Sequence, residues 1–221
     1  MGDPTHLGSR AAVTPHARLA KSDPVMADLV AAHGKMSVER RLRERGQAHD
    51  PWSVLVRAVV GQQLSAKAAA TIFARMLEPY DGRMPTPDEL LAADEKDLRA
   101  AGLSGRKVEY VRDLARHVAG GELDLEALAT MSDEEVIEEI TAVRGFGRWS
   151  AEMFLIFHLG RPDVLPVGDL GIRRAVERAY GLNELPDPAE LERIAEPWRP
   201  QRTLACLYLW ESLRNVPAMN E

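Results

Sequence analysis

The sequence predicts an all-α fold. Apolar residues recur at helical spacing along most of the chain, and no run of alternating polar and apolar residues is long enough to indicate a strand. Residues that favour helix starts, such as Ser and Asp, precede several of these apolar periods, and Gly or Pro ends them. The 221 residues are 45% hydrophobic and 28% charged, which is typical of a globular chain with a buried core.

The predicted helices follow one another along the chain. The first two begin after Asp23 and Asp50, and each has a proline just inside the helix. Ser132 and Glu135 have the S-x-x-E spacing of a capping box, which starts a later helix. Residues 1–21 show no sustained period and are predicted to form a flexible tail. The remaining predicted helices cover residues 66–77, 86–93, 94–101, 105–118, 132–142, 148–159, 170–180, 188–196 and 200–213.

The composition excludes several classes of protein. The single cysteine, Cys206, excludes a disulfide framework and a cysteine-held iron–sulfur cluster. No group of cysteines and histidines has zinc-ligand spacing. No apolar run reaches the length of about 18 residues that a membrane span needs. Because the N-terminus also lacks an apolar signal core, we expect a cytoplasmic protein.

The net charge of −6 argues against a generic nucleic-acid-binding protein, which is usually basic. The charges are unevenly distributed, however. Residues 122–139 contain eight acids and no base, whereas residues 99–116 contain five bases and two acids. This pattern fits a basic face on an otherwise acidic protein, and it equally fits solvated helix faces of mixed charge.

A glycine turn joins two predicted helices at residues 145–147. Glycine adopts positive φ and lets the backbone approach a ligand closely. The free amide groups and the dipole at the start of the second helix suit a phosphate. The pattern therefore predicts a helix-hairpin-helix in which Gly145, Phe146, Gly147 and Arg148 bind phosphate, although a plain αα-hairpin has the same pattern.

A carboxylate, Asp169, lies in a Pro/Gly loop one helix after this turn and directly before another predicted helix. From its position alone, Asp169 is a favoured N-cap residue. A capping role and a catalytic role are both open at this point, since one carboxylate can serve both.

Five ordered segments of the chain resemble the helix-hairpin-helix DNA glycosylases, and most of all the 3-methyladenine DNA glycosylases of the alkylation-repair branch. The resemblance extends over about residues 22–213. The segments are RAVVGQQLS at 57–65, GLSGRK at 102–107, GFGRWSA at 145–151, VLPVGDLG at 164–171, and WRPQRT at 198–203 followed by Trp210.

The resemblance implies a monofunctional enzyme that flips an alkylated, cationic purine out of double-stranded DNA and hydrolyses its N-glycosidic bond in base excision repair. Asp169 falls on the catalytic carboxylate of the family, which stabilises the oxocarbenium ion or orients the attacking water. Related enzymes that also cut the strand carry a lysine where this chain has Trp149, and only an amine can form the Schiff base. No lyase activity is therefore expected.

The resemblance also implies a base pocket and a wedge. The pocket would contain Trp149, Met153, Leu170 and Trp210, and it would be less aromatic than in members with tyrosine in place of Met153 and Leu170. Gln63 or Leu64, in the loop of residues 61–65 (the wedge loop), would fill the gap left in the DNA. The structural alternatives are tryptophans that belong to the core and a helix break whose Leu64 packs inward.

The family architecture implies two helical lobes with the cleft between them. Residues 50–160 would form one lobe, and residues 22–49 with 161–221 the other, in a compact form that acts as a monomer. No cofactor is expected to be required and no side-chain metal site is expected. A structural Na⁺ or K⁺ would be held by the backbone near Thr141, Val143 and Phe146.

Two other kinds of protein fit the residues less well. A non-catalytic helix-hairpin-helix DNA-binding protein would have no need for Asp169. A helical interaction protein would have no need for the two glycines of the turn.

Overall fold

The computed structural model describes residues 13–45 and 50–214. The regular structure in this part of the chain is helical, which confirms the predicted fold class. The α-helices, in chain order, are α1 Pro15–Ser22, α2 Pro24–His33, α3 Val38–Arg45, α4 Pro51–Gly61, α5 Ala66–Leu77, α6 Pro87–Ala92, α7 Glu95–Ala100, α8 Gly105–Ala119, α9 Asp133–Ala142, α10 Arg148–Phe157, α11 Leu170–Tyr180, α12 Pro188–Ala195 and α13 Arg202–Ser212.

Side-chain caps mark the starts of most of the helices, although α10 and α13 have none. Asp23 Oδ1 accepts a hydrogen bond from the Met26 amide at 3.0 Å, and Ser132 forms the predicted capping box with Glu135. Each cap satisfies an amide group that has no acceptor within its own helix. The predicted starts of α2 and α9 are therefore confirmed.

Helix α1 corrects the prediction of a tail through residue 21. Thr14 caps this helix, and Leu19 is fully buried against α2 and α13. His16 Nε2 lies 2.9 Å from the Met36 carbonyl oxygen. A single buried leucine gives no apolar period, so the sequence does not reveal this helix, which packs against both its neighbour α2 and the distant α13. The rest of the predicted tail, residues 1–12, lies outside the described residues.

Two hydrophobic cores organise the helices. The first is built from residues between 52 and 164, and the second from residues between 19 and 36 together with residues 165–209. Trp198, from the fifth resembling segment, is fully buried in the second core, where its Nε1 lies 3.3 Å from Asp23 Oδ2. Phe157 and Trp210 pack against both cores, so the two cores meet at these side chains.

None of the helices in the described ranges combines the length and the apolar character that crossing a membrane requires.

Candidate active site

A cavity of about 760 Å³ lies where the two cores meet. Helix α4 and the wedge loop contribute one side of it, and α10 contributes another. The remaining lining consists of Asp169 at the start of α11, Trp210 on α13 and Arg41 on α3. This volume is in the range of small-ligand sites in proteins.

The Asp169 carboxylate is part of the cavity lining and is held by three N–H donors. Its Oδ1 accepts from the Ile172 amide at 2.7 Å and from Trp210 Nε1 at 3.1 Å, and its Oδ2 accepts from Trp149 Nε1 at 2.7 Å. A carboxylate has about four acceptor positions, so Oδ2 retains one. Capping of α11 thus uses Oδ1 and leaves Oδ2 able to act on a ligand.

No cation neutralises Asp169 within the part of the chain that the structure describes. The residue is only 9% exposed, and its partners there are the two indoles and one backbone amide. Its negative charge is therefore directed into the cavity rather than paired with an arginine or a lysine.

Gly171 explains how Trp210 reaches Asp169. A Cβ atom at position 171 would lie 3.0 Å from Asp169 Oδ1 and 3.4 Å from Trp210 Cδ1. The sequence analysis included Gly171 in a resembling segment but gave it no role, although a glycine in the first turn of a helix is a signal because glycine is a poor helix former.

The structure brings three of the four predicted pocket residues together. Trp149, Met153 and Trp210 line the cavity, and Trp210 stacks on Phe157 with ring centroids 5.7 Å apart. Leu170 is 48% exposed and lies outside the lining. Asp169 is the N-cap of α11 and has an extended backbone (φ −73°, ψ 114°), whereas Leu170 is the first residue of the helix. The structure therefore places the Asp169 carboxylate at the cavity and does not bring Leu170 into its lining, which corrects the prediction that Leu170 belongs to the pocket.

Both candidate wedge residues lie at the cavity. Gln63 has a φ of 56°, in the left-handed region, and Leu64 is 39% exposed. The alternative in which Leu64 packs into the core is therefore wrong.

The glycine turn has the predicted geometry. Helices α9 and α10 pack against each other on either side of it, and Gly145 has a φ of 92°. A Cβ at Gly145 would lie 2.3 Å from the Tyr110 ring. Only glycine fits this position, because both the backbone conformation and the space exclude a side chain.

The side chains of the turn are less available than the pattern suggests. Phe146 is buried in the first core. Arg148 donates to Glu134 Oε1 at 3.0 Å and to Glu152 Oε1 at 3.2 Å, so its charge is paired. No side chain caps α10 at Gly147. The backbone amides at the start of α10 are therefore the groups of the turn best placed for an anion.

Glu152 is a second residue that sequence reasoning missed. It lies on α10, is 4% exposed and accepts from Arg148. Burial raises the pKa of Glu152 to about 7, and repulsion from Glu134 and Asp169 adds to this against the opposing effect of Arg148. In the sequence, Glu152 simply follows Arg148 by four residues, and this spacing gives no sign that Glu152 is buried.

Comparison with known proteins agrees with this geometry. The family model described as "HhH-GPD superfamily base excision DNA repair protein" matches residues 56–200. DNA-3-methyladenine glycosylase 1 of Schizosaccharomyces pombe is 38% identical over 165 residues, which make up 74% of this chain and 72% of that protein.

Solved structures agree as well. The 3-methyladenine DNA glycosylase Mag1 of Schizosaccharomyces pombe in complex with abasic DNA superposes with a TM-score of 0.78 at 33% identity, covering 90% of this chain and 95% of that chain. A DNA-3-methyladenine glycosidase from Bacillus halodurans gives a TM-score of 0.76 at 36% identity, covering 90% and 89%. The glycine turn, the cavity and the family match lead to one conclusion: this chain belongs to the HhH-GPD superfamily of base excision DNA repair proteins.

Proposed function

We propose that this protein is a monofunctional DNA glycosylase that releases alkylated purines of the 3-methyladenine type from double-stranded DNA. The observation that carries the proposal is the Asp169 carboxylate, which three N–H donors hold at a cavity of about 760 Å³ while Oδ2 keeps an acceptor position. The names of the relatives support the same activity.

The base must first leave the DNA stack, which costs a few kcal/mol. Gln63 and Leu64 lie at the cavity and are exposed, so they are placed to fill the gap that the flipped nucleotide leaves. The flat faces of Trp149 and Trp210 suit a cationic purine, and a cation–π contact contributes roughly 0.5–2 kcal/mol.

Hydrolysis then breaks the bond between C1′ and the base nitrogen, and the electron pair leaves with the base. The sugar becomes an oxocarbenium ion, which the negative Oδ2 of Asp169 stabilises. Water adds to C1′ and loses a proton. An alkylated cationic base departs as a neutral molecule, so no second acid is needed to protonate it.

Trp149 carries the proposal that the enzyme is monofunctional. Its indole donates to Asp169 Oδ2 and has no amine with which to form a Schiff base. The expected product is an abasic site in an uncut strand. One chain contains all the proposed site residues, so the protein is proposed to act as a monomer.

A monovalent cation is proposed at the end of α9. Thr141 is in the last turn of α9, where carbonyl groups lack helical partners, and Val143 has already left the helix with a φ of −78° and a ψ of 129°. The carbonyl oxygens of Thr141, Val143 and Phe146 would hold Na⁺ or K⁺, which would add positive charge beside the phosphate-binding amides.

The test measures free base released from methylated duplex DNA by wild-type protein and by Asp169→Asn. Asparagine is also a good N-cap, so the fold should be kept while release falls by roughly a hundredfold or more. Asp187→Asn is the matched control, because Asp187 caps α12 in the same way through the Glu190 amide. Equal release by the wild type and Asp169→Asn would refute the catalytic assignment.

Borohydride trapping tests the monofunctional part separately. No covalent protein–DNA adduct is expected, and formation of one would overturn this part of the proposal.

A further inference from the structure

Arg57 is a cation in the cavity wall that has no role in the chemistry proposed above, and the resemblance, whose first segment begins with it, assigns it none. It lies on α4, one helical turn before the wedge loop, and lines the cavity. Its Cζ atom lies 3.7 Å from the centroid of the Phe73 ring, and Phe73 is buried. This cation–π contact holds the guanidinium against the wall of the cavity.

Within the described ranges, no hydrogen-bond acceptor contacts the Arg57 guanidinium. Its Nε is buried and makes no hydrogen bond, and no carboxylate within residues 13–45 and 50–214 forms an ion pair with it. The other arginine of the lining, Arg41, donates to Glu211 Oε2 at 3.0 Å. Of these two arginines, therefore, Arg57 is the one whose donors are unpaired in the part of the chain that the structure describes.

Burial has a cost for such a group. It lowers the pKa of Arg57, and attraction to Asp50 only partly opposes this. A buried donor that makes no hydrogen bond destabilises the folded protein, and a bound ligand that provides an acceptor removes this cost. The Nε atom itself is covered, but the Arg57 side chain as a whole is only half-buried. A ligand in the cavity can therefore supply acceptors to the Nη donors.

We propose that Arg57 binds an oxygen atom of the flipped nucleotide. This inference rests on the proposed function, since it requires that a nucleotide enters the cavity. A guanidinium prefers carbonyl and phosphate oxygens as acceptors. Two oxygens of the nucleotide qualify: the O6 carbonyl of a guanine-type base and the adjoining phosphate.

The cavity then has two charged contacts with different tasks. Asp169 acts on the positive charge that develops on the sugar, whereas Arg57 holds an electron-rich oxygen. If that oxygen is O6, Arg57 favours lesions with a 6-carbonyl group over adenine-type lesions. If it is a phosphate oxygen, Arg57 strengthens the binding of every flipped nucleotide alike.

The experiment compares two bases in one reaction. Duplex DNA treated with a methylating agent contains both 7-methylguanine, which has O6, and 3-methyladenine, which has none. Both are cationic, so neither needs an acid to leave. Release of each base is measured by chromatography for wild type, Arg57→Met and Arg57→Lys. Binding to duplex DNA with a tetrahydrofuran abasic analogue, which has no base, is measured in parallel.

Arg75→Met is the matched control, because Arg75 is an exposed arginine on α5 outside the cavity lining. Methionine at position 57 keeps the apolar stem against Phe73 and removes the donors. Arg57→Lys keeps the charge but loses the planar fork, so an intermediate effect is expected. Thermal melting of each variant shows whether it is folded.

A loss of roughly tenfold to a hundredfold in 7-methylguanine release, with 3-methyladenine release and abasic-analogue binding kept, supports O6 as the acceptor. A similar loss for both bases together with weaker abasic-analogue binding supports the phosphate. Wild-type behaviour of Arg57→Met in all three measurements overturns the inference. Wild-type protein that releases neither base overturns the proposed function instead, so the two failures are distinguishable.

Discussion

The Gln62 side-chain amide donates a hydrogen bond to the Gly145 carbonyl oxygen at 2.9 Å, joining residues 83 positions apart in the sequence. This bond connects the wedge loop to the glycine turn. The next residue, Gln63, has a left-handed backbone with a φ of 56°, which costs a non-glycine residue about 1–2 kcal/mol. The Gln62 bond therefore helps hold the wedge loop in register with the turn that is proposed to bind phosphate.

Removing this bond should impair action on duplex DNA selectively. For Gln62→Ala, we expect single-turnover base release from duplex DNA to fall about tenfold, while release from a single strand with the same lesion stays near the wild-type rate. A single strand has no gap for the wedge to fill, so its register matters less there. Equal losses on the two substrates would show that Gln62 acts elsewhere.

Gln62→Glu provides a second test of the same bond. A charged carboxylate cannot donate to the Gly145 carbonyl, whereas a protonated carboxyl group can. Duplex activity relative to the wild type should therefore rise as the pH is lowered through the pKa of the new side chain. A ratio that does not change with pH would contradict this reading.

Gly145→Ala should destabilise the protein by about 2–4 kcal/mol, because its Cβ would overlap the Tyr110 ring and its φ is positive. Denaturation by urea measures the change.

Gly147→Ala is the matched variant, since a Cβ there meets no atom within 4 Å. It should cost about 1 kcal/mol or less but weaken DNA binding, because the methyl group lies beside the amides proposed for phosphate. Equal stability losses for both variants would be inconsistent with this geometry.

Glu152 should make stability depend on pH. Burial raises its pKa to about 7 from an ordinary value of 4.5. Between these two pH values the folded protein holds a proton that the unfolded chain has lost, so the contribution of Glu152 to stability falls as the pH rises. Glu152→Gln removes this dependence and keeps an acceptor for Arg148.

The variant should therefore be more stable than the wild type at pH 8 by about 1–3 kcal/mol, and the difference should shrink toward pH 5. Urea denaturation at the two pH values measures it. A Gln variant that is less stable than the wild type at pH 8 would show that the charged pair with Arg148 outweighs burial.

Trp210→Phe removes the indole donor to Asp169 Oδ1, at 3.1 Å, and keeps a ring to stack on Phe157. A hydrogen bond to a charged group contributes about 1.5–3 kcal/mol, so base release should fall at least about tenfold while the variant melts near the wild-type temperature. Wild-type release would mean that Trp210 acts only through packing.

Much of the site could be predicted because its signals are local. The glycines of the turn and the loop that delivers Asp169 are short segments, and each has a backbone requirement that few residue types meet. Trp149, Met153 and Trp210 were placed by resemblance, and the fold brings them to one cavity. Leu170 was assigned by the same resemblance, and the structure leaves it exposed and outside the lining.

The remaining features depend on contacts between distant segments. The bond from Gln62 to Gly145, the unpaired guanidinium of Arg57 and the burial of Glu152 carry no sequence pattern, since each depends on which helices meet.

The amino-acid sequence by itself determined most of the helices, most of their capped starts and the glycine turn, because capping, periodicity and positive φ are local properties of a few adjacent residues. The tertiary structure showed that α1 and α3 are helices, that Asp169 accepts hydrogen bonds from two indoles at a cavity, and which charges are paired. Those outcomes follow from burial and from hydrogen bonds between segments far apart in the chain. The charge and the partners of a side chain depend on these surroundings, which its identity alone does not reveal.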